Sequence, residues 1–145
     1  MENFRSVINE NGFLVYTIVG TSMMPLLRQR KDTVHLVKID RPLKKKDVIL
    51  YQRDSGQYVL HRLVKVKDGK YVICGDNQWR REYGITDKHI IAVMEGFYRM
   101  EKYHSIHSFS YKLYKTFGVT LLRPFRFFRD FLYKVYHVLF KRKGK

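Results

Sequence analysis

The sequence predicts a mainly β domain that carries a basic, amphipathic helix toward its C-terminal end. Three observations predict it. Short apolar runs between residues 12 and 98 are separated by clusters of Gly, Asp, Asn, Ser and Pro at hairpin spacing. Within those runs apolar and polar side chains tend to alternate, the period of a strand. Beyond residue 100 the period shifts to three and four, and basic residues outnumber acidic ones heavily.

Residues 1 to about 11 read as a short amphipathic helix or lead-in, closed by Asn11-Gly12. Val15 to Gly20 has strand character. Gly20 lets the chain turn sharply at its exit, and Pro25 fixes the backbone just beyond. Val34 to Val37 and Val48 to Gln52 follow as strands on either side of Asp40-Arg41-Pro42. Tyr58 to Val66 is joined to the run before it by Asp54-Ser55-Gly56, and to Lys70 to Cys74 by Asp68-Gly69. Both pairs read as hairpins. Gly75-Asp76-Asn77 is the next turn, and Ile90 to Arg99 closes a β body spanning residues 1–100. Residues 101–145 form the helical tail. From Pro124 onward the polar side chains Arg126, Arg129, Asp130, Lys134, His137 and Lys141 make a narrow stripe, and the rest through Phe140 is aromatic or aliphatic. Pro124 suits a first helical turn, and Lys141-Arg142-Lys143 suits the negative end of the helix dipole.

A chain of 145 residues buries a core without metals or disulfides, and its single cysteine excludes an internal disulfide framework. Cys74 lies in an apolar run and reads as a small core residue. The polar N-terminus, with Glu2, Arg5 and Glu10, does not read as a signal peptide, and no apolar run approaches the roughly 20 residues of a spanning helix. The formal net charge is +16, and residues 101–145 hold 11 basic and 2 acidic side chains. Such a tail seeks polyanions. A helix with so narrow a polar stripe has to bury most of its circumference, in its own domain, in a partner protein, or at the headgroup level of a bilayer. The expected partner is an anionic membrane surface, reached through residues 123–145. Basic residues interleaved with aromatics also suit nucleic acid, but the apolar face from Phe125 to Phe140 is too continuous for a solvated nucleic-acid helix.

Three residues with complementary chemistry lie at or near strand ends. They are Ser22 in Gly20-Thr21-Ser22-Met23-Met24-Pro25, His61 in Tyr58-Val59-Leu60-His61-Arg62-Leu63, and Asp76 in Gly75-Asp76-Asn77. Serine needs a neighbouring base to become a nucleophile, and histidine gains from a carboxylate that orients it. With Lys31-Asp32-Thr33-Val34 and Lys46-Asp47-Val48-Ile49, these segments follow the order of blocks in type I signal peptidases and LexA-type self-cleaving domains. The resemblance covers residues 12 to 98. It implies a β-rich catalytic domain and a serine endopeptidase that cuts a leader, signal or other small peptide. Ser22 would be the nucleophile and His61 the general base, as in the endoplasmic-reticulum subtype, where other members use lysine. Asp76 is nominated as the assisting acid, with Glu82 in reserve. No cofactor or metal is implied.

The chain departs from the family at several points. Asp32 and Asp47 lack the preceding glycine and read as turn residues. Gly20 stands where some relatives place a serine that helps hold the oxyanion, which leaves the Ser22 N–H as the donor. Only 21 residues precede Ser22, and they are too polar for the N-terminal membrane helix usual among signal peptidases. The expectation is therefore a peptidase at the cytoplasmic face of a membrane. The alternative is a catalytically silent module that keeps the fold and docks on membrane or partner through its tail. His104 and His107 have a helical metal-ligand spacing but no third ligand nearby, and read as a solvated pair.

Overall fold

The computed structural model describes residues 3–140, without the side chains of 122, 123 and 136–140. Helix α1 (Phe4–Asn11) opens on Asn3, whose side chain accepts the Arg5 N–H, and closes on Gly12 in the left-handed conformation. Eight strands follow: β1 (Phe13–Thr17), β2 (Asp32–Val37), β3 (Val48–Gln52), β4 (Tyr58–Lys67), β5 (Lys70–Cys74), β6 (Glu82–Thr86), β7 (Ile90–Arg99) and β8 (Lys102–Ser105). They form one antiparallel sheet in the order β1-β2-β7-β3-β4-β5-β6, with β8 also pairing β7. The chain is thus mainly β, as its alternation and turn chemistry require.

Both faces of the sheet are buried. Along β3, Val48 and Leu50 join a core with Ile8, Met23, Leu27, Val34, Leu36 and Met94. Ile49 and Tyr51, on the other face, join Leu63, Tyr71, Ile73, Ile85, Ile90 and Val93. The side-chain period of two sorts neighbouring residues into different cores.

Four strands match their expected spans closely: β3, β4, β5 and β7. The first strand runs Phe13–Thr17 rather than Val15 to Gly20, because Ile18 leaves the ladder to bond Asp32 and Arg30 across the turn. Strands β6 and β8 were not expected. They are short, and β6 is mostly exposed, so neither shows a clear apolar alternation. The C-terminal helical region also starts well before Pro124. Helix α2 (Phe109–Leu113) is capped by Ser108, runs through a π-helical turn (Tyr114–Gly118), and continues into α3 (Val119–Phe140) with Pro124 inside it. Tyr111 and Tyr114 of this early part pack on the first core. Among the described residues no helix is long and apolar enough to cross a membrane.

The two carboxylates expected at turns are structural, though Asp32 is the first residue of β2 rather than part of a turn. Asp47 accepts the Lys44 N–H at 2.9 Å and pairs with Arg41 at 2.8 Å. Asp32, fully buried in β2, accepts the Arg28 N–H and pairs with Arg99 of β7. His104 stacks on Phe97, with ring centroids 5.0 Å apart. Cys74 is buried.

Candidate functional site

The hairpin β3–β4 and its neighbour β5 position the histidine. Leu63 of β4 lies opposite Ile73 of β5 and both are buried in the second core. Two residues back along β4 comes His61, and Gly75 follows directly on the last residue of β5, Cys74, which pairs with Arg62. An ideal Cβ on Gly75 would sit 2.6 Å from the Ser22 carbonyl oxygen and 3.1 Å from Ser22 Cβ. The absent side chain of Gly75 therefore leaves the space that the Ser22 turn occupies, beside His61 across the strand pair. Any larger residue at 75 would push the serine away.

The rest of Gly75-Asp76-Asn77 holds that turn in place. The Asn77 N–H donates to Ser22 O at 2.7 Å, and its side-chain amide donates to Thr21 O at 3.1 Å. Gly20, with φ of 95°, takes the backbone conformation the sharp exit from β1 needs. Among the described residues the Ser22 N–H makes no hydrogen bond, so it is a free donor beside its own hydroxyl.

Ser22 and His61 line one cleft of about 740 Å³, with Ile18, Val34, Leu36 and Leu50 among its apolar walls and Asn77 and Arg129 among its polar ones. No hydrogen bond joins Ser22 Oγ to His61 among the described residues. Among the described residues, Arg28 Nε, 3.5 Å from Asp32 Oδ1, is the buried side-chain polar atom without a hydrogen bond. Ser22 Oγ and His61 Nε2, also unbonded, are therefore not sealed in the dry interior, and open on the cleft.

His61 Nδ1 lies 3.3 Å from the hydroxyl of Tyr51, which sits two residues along β3 from Ile49, the direct cross-strand partner of His61. That diagonal position is within reach of an aromatic side chain. The single Tyr51 proton is donated to Glu82 Oε2 at 2.7 Å. The hydroxyl is then left to accept, so Nδ1 carries the imidazole proton and Nε2 offers a bare lone pair to the cleft. Glu82 in turn is held by Arg53, at 2.8 and 2.6 Å. These Arg53 bonds keep its carboxyl below the usual range, and Tyr51 adds to the effect. Burial pulls the His61 pKa down to about 4, with Glu82 and Asp76 pulling it back up and Arg53 pushing it lower. The imidazole is neutral at pH 7.

Asp76 is placed differently from its nominated role. Its two oxygens accept from Nε and Nη2 of Arg62 at 2.7 Å each, both side chains being buried, and Tyr114 donates to Oδ2 at 3.1 Å. Arg62 also donates to Lys46 O and Tyr111 OH. Among the described residues no hydrogen bond joins Asp76 to His61; its oxygens are engaged by Arg62 and Tyr114. Asp76 thus anchors the turn under Ser22 and ties it to α2, while the acid linked to His61 is Glu82, through Tyr51.

Tyr51 and Arg53 carry no signal in the sequence, since their partners arrive through cross-strand pairing. Glu82 reaches the site because β6 pairs β5, with Glu82 opposite Ile73. From the tail, Arg129 donates to Asn77 Oδ1 at 2.8 Å, Phe127 meets Trp79 edge to face at 5.4 Å, and Arg126 is buried. Part of the polar stripe of α3 therefore seats on the β body beside the cleft. The side chains of His137 and Lys141 lie outside the described residues.

No protein-family model matches the chain, and no curated protein matches it in sequence.

Proposed function

We propose that the chain is a serine endopeptidase of the signal-peptidase and LexA-like kind, acting on a leader, signal or other small peptide. The observation that carries the reading is the histidine with Nδ1–H anchored to Tyr51 and Glu82, and its free Nε2 in the same cleft as Ser22. The resemblance of the five sequence blocks supports it independently.

In the proposed reaction, Nε2 of His61 takes the Ser22 hydroxyl proton as Oγ attacks the scissile carbonyl carbon. The Ser22 N–H stabilises the tetrahedral oxyanion. His61 returns its proton to the leaving amine, which departs with the C–N bond electrons and leaves an acyl-serine. Water, deprotonated by the same Nε2, then releases the acid and restores the hydroxyl. Glu82, relayed by Tyr51, and the nearby Asp76 favour the imidazolium formed in each half-reaction, against the burial that opposes it.

The test is a peptide library incubated with the full chain and read by mass spectrometry for new termini. Cleavage should disappear in Ser22→Ala and in His61→Ala, and the double variant should be little worse than either, because the pair acts as a unit. Identical cleavage by Ser22→Ala would sink the reading. A second reading, a peptidase fold used only for binding, draws on the lack of a Ser22–His61 hydrogen bond. It predicts peptide capture without new termini, unchanged by Ser22→Ala.

A further inference from the structure

Helix α3 is mounted inside out. An amphipathic helix on a protein surface turns its apolar stripe inward and its polar side chains to water. Here Arg126 is buried and Arg129 bonds Asn77 on the body side, whereas Leu113, Phe117, Leu121, Phe125, Phe128 and Leu132 face away from it, each about half exposed or more. Phe125 is 73% exposed. At about 100° per residue, positions 121, 125, 128 and 132 fall within an arc of about 60°. The wider π turn at Tyr114–Gly118 keeps 113 and 117, also four apart, close to the same line. The result is one continuous apolar ridge along the outer side of the helical arm, of the kind that marks an interaction surface.

We propose that this ridge docks the protein on an anionic lipid bilayer, lying in the plane of the interface. Charge selects this occupant. Residues 101–145 hold 11 basic and 2 acidic side chains, and the exposed Lys112 stands next to Leu113 at the start of the ridge. Apolar side chains enter the acyl boundary while lysines and arginines meet lipid phosphates. A second copy of the chain would bring another +16 against the first, and nucleic acid offers no acyl phase for six large apolar side chains. The arm is also the element that touches the rim of the cleft through Arg129 and Asn77, so docking brings the Ser22 site to the membrane surface.

The test is flotation of the full chain with vesicles of phosphatidylcholine alone and of phosphatidylcholine with phosphatidylserine. Wild type should float with the anionic vesicles and hardly with the neutral ones. Phe125→Asp with Phe128→Asp should cut partitioning about tenfold or more, with the urea midpoint unchanged. If that variant does not fold, Phe128→Trp replaces it. Its added fluorescence should shift to the blue and be quenched by brominated acyl chains. Ser22→Ala should float as wild type does, which separates this proposal from the peptidase reading. No flotation of wild type overturns it. So does equal flotation of the double aspartate variant, or concentration-dependent self-association that the same variant abolishes.

Discussion

Replacing Tyr51 by phenylalanine removes one oxygen from the site and tests which acid serves the histidine. In the wild type that oxygen accepts from His61 Nδ1 at 3.3 Å and donates to Glu82 at 2.7 Å, in a residue with no exposed surface. Glu82 survives the change well, since both its oxygens remain bonded to Arg53. The cost falls on the imidazole. Either Nδ1–H is left buried without a partner, or the proton moves to Nε2 and the base loses the lone pair it needs for Ser22. An unsatisfied buried donor costs roughly 1–3 kcal/mol, and the 3.3 Å separation puts this one toward the lower end. A penalty of about 1–2 kcal/mol on the productive tautomer corresponds to a loss of about 5- to 30-fold in kcat/KM. Two assays read it. Initial rates on a cleaved peptide give the kinetic loss. Nitrogen NMR of labelled histidine gives the tautomer without any substrate, with Nδ1 protonated in the wild type and a mixed or Nε2-protonated ring in Tyr51→Phe. A wild-type ring protonated at Nε2, or a Tyr51→Phe rate within twofold of wild type, would refute the assignment of Tyr51 and Glu82.

Three further outcomes are expected. Because burial holds the His61 pKa at about 4 against the ordinary 6.5 of a histidine, the acid limb of the rate profile should centre near pH 4 in substrate-free enzyme. The same shift links to stability: between pH 6.5 and 4 only the unfolded chain binds this proton. The contribution is therefore full above pH 6.5 and falls by about 3 kcal/mol as pH drops to 4, a slope that urea midpoints should show and His61→Gln should flatten. Asp76→Asn strands the buried Arg62 charge and should cost roughly 3–5 kcal/mol, toward the lower end since the amide still accepts one bond, while the folded fraction keeps activity within a few-fold. A catalytic Asp76 would give the opposite pattern, with stability kept and rate lost. Gly75→Ala drives a methyl into the Ser22 backbone and should abolish cleavage at a stability cost of about 1–3 kcal/mol, measurable as a fold that persists without activity.

The legible part of the fold was the part written locally. Gly12 and Gly69, both with positive φ, mark turns that the dipeptides Asn11-Gly12 and Asp68-Gly69 announce, and the hairpin strands between them fall where alternation puts them. Strand β6 is not legible in the sequence, because an edge strand with one buried position has little alternation to show. The early start of the helical arm is not legible either, because Pro124, a good first-turn residue, is tolerated five residues into α3. At the site, Ser22, His61 and Gly75-Asp76-Asn77 were all visible as types in order. Their division of labour was not: the resemblance nominates Asp76 with Glu82 only in reserve, and nothing in one dimension tells which carboxylate the strand pairing carries to the imidazole.

By itself, then, the chain's linear pattern determined the β class, the hairpins, the candidate serine and histidine, and a basic apolar tail, since turn chemistry and side-chain period act over a few residues. Tertiary structure decided which carboxylate reaches the imidazole and which way the tail faces. Both depend on long-range placement. The pairings of β4 with β3 and of β5 with β6 carry Tyr51 and Glu82 to His61 and leave Asp76 to Arg62. The seating of Arg126, Phe127 and Arg129 on the body turns the apolar ridge outward. Neither a strand's neighbours nor a helix's rotation about its own axis is encoded in its local sequence; both follow from which contacts bury the most surface and pair the most charge once the whole chain has collapsed.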